Sequence, residues 1–531
     1  MKKIFLFTMI MGLAVVVCAQ EYGNHAQMTR RAQALRDKYP DKVQIKSLGK
    51  TVGGYDIWLL TLGKGQASRH PAMAIVGGVD GRHLLGVEMA MGIAENLLSR
   101  ADIDAMLVDH TFYILPNVNP DATSQYFAPL RYERTLNGRA TDNDRDGAVG
   151  EDPYEDLNND KLITQMRIKS PKGAYIESSV DSRVLVAANP AKGERGTYIL
   201  VHEGIDNDKD GLFNEDGEGG VNFNKNFTFM YKNFGPEGGD WAVSEVEGKA
   251  VADFLFDAFN VHTILSFSLH NNLSRAVKAL STRPTGFGSE NAEDTDIYSY
   301  ASSLYNQWVS DAANPTAQAA EGGEFHTWGY QHYGRYSFAT PAWWPLSSDR
   351  STEGNLTLTY LNWAAANGIT DAFVPWTKIN HPDFADLQVE VGGIKPHVMY
   401  NPPYAMVDDL AKKHTSFVVE LTKAAPRISI VSFGKETLDK NIHRITLVVK
   451  NSGIMPTLTQ IGERSIFLKQ VATQLTLGPK QSLVQGVTKV IRPLLKGGET
   501  VEITWIVQGN GKLSVETGTP TAGYATAEIT L

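Results

Sequence analysis

The chain has 531 residues, 42% apolar and 21% charged, with one cysteine and a formal charge of −9 at pH 7. That length exceeds one compact core and predicts two or more domains, and the acidic balance argues against nucleic acid as a partner. With Cys18 the only cysteine, the mature chain has no disulfide and no thiolate, so a transition-metal site has to use His, Asp and Glu.

In chain order, Lys2 and Lys3 precede an apolar stretch, 4–17, and the small residues Cys18-Ala19. We read 1–19 as a secretory signal, too short to span a bilayer, and expect an exported, periplasmic or extracellular protein with no transmembrane segment. Losing the two lysines takes the formal charge from −9 to −11. A lipid anchor at Cys18 ranks second, because Val17 is bulky for the position before it. Residues 25–39 carry a helix pattern, and 43–48 and 55–62 read as strands. Residues 74–76 are a strand ended by Gly77-Gly78, and 84–98 an amphipathic helix. Residues 106–115 read as a strand ending at "PNVNPDA", and 254–269 as a helix end followed by the strand "VHTILSFSLH". Such alternation predicts an α/β sheet with helices on both faces. Ligands then sit at the carboxyl ends of strands, where Asp80, Asn119 and His270 fall. Residues 138–220 are an insertion rich in Asp, Asn and Gly with little periodic pattern. From Arg427 the runs "RISIVSF", "HRITLVVKN", "SIFLKQVATQLTLG" and "VEITWIVQG" predict a β-sandwich over 427–531, with "KAAPR" (423–427) as linker after a domain spanning 20–426.

The insertion contains Asp142, Asp144 and Asp146 before Gly147, and again Asp206, Asp208 and Asp210 before Gly211; Asp156, Asn158 and Asp160 form a looser copy. Alternate carboxylates in a turning loop face one hard cation, and the glycine permits the sharp turn, so we expect structural calcium here. The full EF-hand spacing is missing, since Pro153 holds the twelfth position of the first loop. Solvated acidic turns are the plain alternative.

Several pieces in this order, "SLGKTVGGYDIWLLTLG", the strand-loop-helix at 74–98, "PNVNPDA", "RYERTLNGR", "GGVNFNKNF", "SLHNN" and "GYQHYGRYSFAT", resemble the zinc carboxypeptidase family, and in particular its large secreted bacterial members. The resemblance implies a mixed α/β fold and zinc held by a His-x-x-Glu pair and a later His, with one position left for water. It also implies a glutamate base and arginines that grip the substrate's terminal carboxylate. In this sequence the later histidine is His270, the first arginine is Arg134, and the Asn-Arg pair is Asn224 with Lys225. The His-x-x-Glu pair is replaced by Asp80-x-x-His83. Pro341 stands where the catalytic glutamate belongs, and Gln318 where a tyrosine does. Asp80, His83 and His270 still offer a carboxylate and two imidazoles to zinc; a turn or helix-cap residue and a loop histidine are the plain readings of the first two.

Pro341 cannot take a proton. Glu324, Glu390 and Glu420 are the weak substitutes for a base, each more readily a structural glutamate. His202, His326 and His332 read as ordinary half-buried histidines, and Trp343, Trp344, Tyr330, Tyr333 and Tyr336 as core or cleft aromatics. Two functions follow. One is a carboxypeptidase fold without hydrolytic chemistry that binds a peptide or peptidoglycan-type ligand through Arg134, Asn224 and Lys225. The other is an active secreted metallocarboxypeptidase with a rearranged Asp/His/His site.

Overall fold

The computed structural model describes residues 21–142, 147, 149–150, 152–207, 209, 211, 213, 219–277, 293–314 and 317–531. The segment 1–19, read above as a secretory signal, lies outside them. The chain opens with helix α1 (His25–Lys38), closed at its start by a reciprocal capping box between Asn24 and Gln27. Strands β1 (Val43–Lys50), β2 (Asp56–Leu62), β3 (Ala72–Val76) and β4 (Thr111–Leu115) follow, with α2 (Leu84–Ser99) and α3 (Ile103–Asp109) between β3 and β4 and the short α4 (Pro120–Ser124) after it. The insertion contributes β5 (Gln165–Lys169), β6 (Tyr175–Glu177), β7 (Leu185–Ala187) and β8 (Tyr198–His202). Then come α5 (Val246–Asp257), β9 (Val261–Phe267), α6 (Thr295–Trp308), α7 (Phe325–Gln331), β10 (Tyr336–Thr340), α8 (Leu356–Ala366), β11 (Phe373–Ile379), β12 (Val389–Ile394) and α9 (Val407–Lys423).

The main sheet runs β1-β2-β4-β3-β9-β10. Strands β4, β3, β9 and β10 pair in parallel, with β10 at the edge, and β2 is antiparallel to both β4 and β1. All five residues of β3 are buried because the sheet is covered twice. Met73 and Ile75 pack into the core with α2 and α9, while Ala74 and Val76 pack against Val251, Leu255 and Trp328 of α5 and α7. A strand buried on both faces shows as an uninterrupted apolar run.

Three expectations need correction. Residues 106–109 are the end of α3, not the start of a strand. The insertion is not patternless: β5, β8, β6 and β7 join β12 and β11 in a second, antiparallel six-stranded sheet. These strands are three to seven residues long, too short for a sequence period to set them apart from loop. In the C-terminal part, 465–470 is not strand, and pairing begins at Val471. From Ile428 onward two four-stranded antiparallel sheets enclose Ile445, Leu447, Val449, Trp505, Val507 and Val515, with inward residues alternating as a sandwich requires.

Candidate functional site

The parallel strands converge on one rim. After β3 the chain turns through Gly77 and Gly78; a Cβ at Gly77 would lie 2.4 Å from the carbonyls of Gly86 and Pro116, so only glycine allows this close approach. The turn delivers Asp80. Its Oδ1 accepts hydrogen bonds from the Arg82 backbone N–H (3.0 Å) and Nε (3.1 Å), and its Oδ2 from Arg82 Nη2 (2.9 Å). The Arg82 guanidinium also lies 5.1 Å from the centre of the Tyr400 ring and 3.8 Å from Glu133. Burial opposes charge on Asp80, yet the guanidinium beside it holds its carboxyl below the usual range.

His83 is wholly buried. Its Nε2 lies 3.0 Å from the carbonyl oxygen of Pro341; a carbonyl only accepts, so Nε2 carries the proton and donates. Its Nδ1 faces the first turn of α2, 3.0 Å from where a Cβ on Gly86 would stand. Burial brings the ring down to about 4, so it is neutral at neutral pH. His270, three residues beyond β9, donates from Nδ1 to the Gln318 carbonyl at 2.8 Å. Its ring packs 4.7 Å from that of His326, and burial depresses both histidines.

Asp80 and His270 line one cavity of about 230 Å³, shared with Arg82, Lys225, Gln318 and Glu324. His83 does not line it. Among the described residues no three His, Cys, Asp or Glu side chains converge as a metal-binding group. The residues present therefore do not fit zinc. It needs three convergent protein donors, whereas this cavity offers one imidazole and carboxylates that do not converge with it: Asp80 is clamped by Arg82, Glu237 is paired with Lys225, and Glu324 is bonded to backbone N–H groups. Pro341 directly follows β10, and its carbonyl oxygen accepts from His83 Nε2 and from the Trp343 N–H at 2.7 Å.

Asn224 and Lys225 line the same cavity, but both are engaged within the chain. Asn224 Oδ1 accepts the Phe325 N–H at 3.0 Å, and Lys225 Nζ pairs with Glu237 at 2.7 Å. Arg134 donates to the carbonyls of Leu136 (2.9 Å) and Asn137 (2.6 Å) and faces an adjoining cavity of about 400 Å³. Thr135 and Glu237 line both. Of the substitute bases, Glu390 pairs with Arg167 at 2.8 Å in the second sheet and Glu420 with Lys423 on α9; only Glu324 lies in the cavity. His202 lines the adjoining cavity. Tyr330 and Tyr336 are core residues that bond Asp294.

In the acidic loops the first carboxylate takes the backbone N–H five residues on in each case: Asp142 from Gly147 (3.0 Å), Asp156 from Lys161 (2.7 Å) and Asp206 from Gly211 (3.2 Å). Asn158 and Asp160 complete the turn after Asp156. Asp144, Asp146, Asp208 and Asp210 lie outside the described residues.

Sequence reasoning missed Arg82 and Glu237. An acid and an arginine two residues apart in a loop was the available signal for the first. Nothing local marks Glu237, which reaches Lys225 across twelve residues of loop.

Residues 28–160 match the zinc carboxypeptidase family model, and residues 427–530 match a family described as a domain of unknown function (DUF8731). Carboxypeptidase B of Astacus astacus is 28% identical over 114 residues, 21% of this chain and 37% of that protein. The chain thus matches little more than a third of that relative's length. Among solved structures, carboxypeptidase A of Helicoverpa armigera is similar at 14% identity, covering 60% of this chain and 63% of the other, with a TM-score of 0.37. Thrombin activatable fibrinolysis inhibitor is similar at 12% identity, covering 76% and 75%, with a TM-score of 0.40. Residues 28–160 are thus similar to zinc carboxypeptidases. The family match ends before His270 and Pro341.

Proposed function

We propose that this is a secreted, non-hydrolytic binding protein built on a carboxypeptidase scaffold, whose paired cavities take a peptide or cell-wall peptide. The observation that carries the reading is the fate of His83. Its ring is locked onto the carbonyl of the residue that stands where a base belongs, while Asp80 is neutralised by Arg82. Losing a general base alone costs about 10²–10⁴ in rate. The test is to purify the mature chain, measure bound zinc, and assay release of C-terminal residues from a peptide mixture. Turnover abolished by a chelator and by His270→Ala would overturn the proposal. The competing reading, an active metallopeptidase, draws support from His270, whose Nδ1–H is tied to a carbonyl and whose Nε2 is left for a ligand. In the same proposal, the acidic loops bind calcium as a structural ion and the segment 1–19 directs export.

A further inference from the structure

The charges of the cavity do not suit the ligand end that the scaffold suggests. Both of its cations are consumed within the chain, Arg82 by Asp80 at 2.9 Å and Lys225 by Glu237 at 2.7 Å. Glu237 also accepts from Asn222 Nδ2 at 3.3 Å, so a carboxylate of the chain itself already occupies the Lys225 side of the cavity. It does so from a backbone at φ 62°, in the left-handed region that disfavours glutamate. A ligand carboxylate would have to displace it.

Another part of the same lining has the reverse character. Glu324 is buried, and among the described residues its hydrogen bonds come only from neutral donors. Oε1 accepts from the N–H groups of Glu321 and Gly322, and Oε2 only from the Thr327 hydroxyl, at 3.3 Å. Glu321, at the rim, has just a 4.0 Å approach from Lys232, and both side chains are about 60% exposed. Beside Glu324, His270 is 3% exposed and donates its Nδ1 proton to Gln318. That leaves Nε2 of the neutral ring as an acceptor to which no group of the chain is bonded. A carboxylate oxygen and an imidazole nitrogen with open acceptor capacity, in a cavity whose cations are spent, call for a cation with several N–H donors.

We infer that this cavity holds a protonated primary amine, from a side chain or an amino terminus, against Glu324 and His270, and does not take a free carboxylate. The inference rests on the binding-protein reading and names the ligand group it selects.

Calorimetric titration of the full mature chain with four probes on one scaffold tests it. They are Nα-acetyl-lysine amide (side-chain ammonium), norleucine amide (α-ammonium), Nα-acetyl-norleucine amide (neutral) and Nα-acetyl-norleucine (carboxylate). At least one ammonium probe is expected to bind about 10- to 100-fold more tightly than the neutral one, as a charge-assisted hydrogen bond implies; the carboxylate probe gains nothing. Which ammonium probe wins distinguishes the two sources. Glu324→Gln removes the preference. If that variant does not fold, Glu237→Gln, which frees Lys225, shifts the preference toward the carboxylate probe. Tighter binding of carboxylate than ammonium by the unmodified chain, equal or no binding of all four, or an unchanged preference in folded Glu324→Gln overturns the inference. Its failure is distinct from that of the non-hydrolytic reading. Ammonium selectivity accompanied by zinc-dependent turnover would sink that reading and leave this one standing.

Discussion

Replacing Arg82 by glutamine tests the arrangement at its centre. The side chain of Asp80 is 8% exposed and that of Arg82 22%, so the pair is desolvated enough for its loss to register. The substitution deletes the Nε and Nη2 bonds at 3.1 and 2.9 Å and leaves only the backbone N–H at 3.0 Å. Breaking a buried pair by removing one partner costs about 3–5 kcal/mol; with Arg82 partly in water we expect about 3 kcal/mol. The pH dependence has a definite sign. The carboxyl of Asp80 is held below its ordinary value in the folded chain. The stability it contributes is therefore present above the unfolded pKa of about 4 and is lost as pH falls through the lower folded value. The penalty of Arg82→Gln is accordingly full at pH 7 and shrinks on acidification, first as the stranded, buried carboxyl of the variant protonates above its ordinary value of about 4, then as the native pair itself is lost below it. Urea unfolding at both pH values, monitored on the α/β domain, measures it. Adding Asp80→Asn should recover at least about 1 kcal/mol in a double-mutant cycle. A cost below about 0.5 kcal/mol at pH 7, the range of an ordinary surface change, would show that the clamp is not formed.

Glu247, buried beside Asn137 with its Oε1 unpaired, is pushed up to about 7 by burial. The stability tied to its protonated form is full below the ordinary value of 4.5 and lost as pH rises through about 7, amounting to about 3 kcal/mol at pH 8. Glu247→Gln should therefore flatten melting temperature against pH over that window, and an unchanged slope would refute the assignment. Gly86→Ala places a methyl 3.0 Å from both His83 Nδ1 and Phe267 Cβ and should cost about 1–3 kcal/mol by overpacking; a neutral effect in thermal denaturation would mean the His83 ring lies elsewhere. Chelation of calcium should lower the melting temperature if the three acidic loops bind ions that the unfolded chain does not. A melting temperature indifferent to chelator removes calcium from the account.

The main sheet was legible because β3 and β9 are buried on both faces and so appear as unbroken apolar runs, and because glycines and asparagines punctuate their ends. The second sheet was not. Gln165–Lys169 and Tyr198–His202 pair with each other across the intervening β6 and β7, and the alternation of so short a strand as Gln165–Lys169 names no partner. Of the candidate site, positions were legible and directions were not. The spacing Asp80-x-x-His83 is compatible with two donors on one metal, and only the fold shows that one ring turns to Pro341 and that the other carboxylate meets Arg82. The glutamate that remains in the cavity, Glu324, was visible as a weak candidate. Its rivals Glu390 and Glu420 differ from it in having arginine and lysine partners, which no single-sequence pattern reveals.

The replacements at this rim depend on one another. The carbonyl oxygen of Pro341 has two lone pairs; the Trp343 N–H takes one at 2.7 Å and the protonated Nε2 of His83 the other at 3.0 Å. With that ring committed to the core, His83 cannot share a cation with Asp80. Arg82 instead brings a positive charge on the chain itself, two residues away, with a geometry that a carboxylate accepts through both oxygens. An aspartate is short enough to fold back onto that guanidinium within a turn, whereas a histidine at position 80 would leave Arg82 buried without its counter-charge. No single reversion therefore rebuilds a metal centre. Histidine at 80 strands a guanidinium, glutamate at 83 loses the bond to Pro341, and glutamate at 341 puts a carboxylate beside a cavity already richer in acids than in cations. Parts so coupled hold one another in their present arrangement, and the cavity's excess of acids over cations is what a ligand must answer.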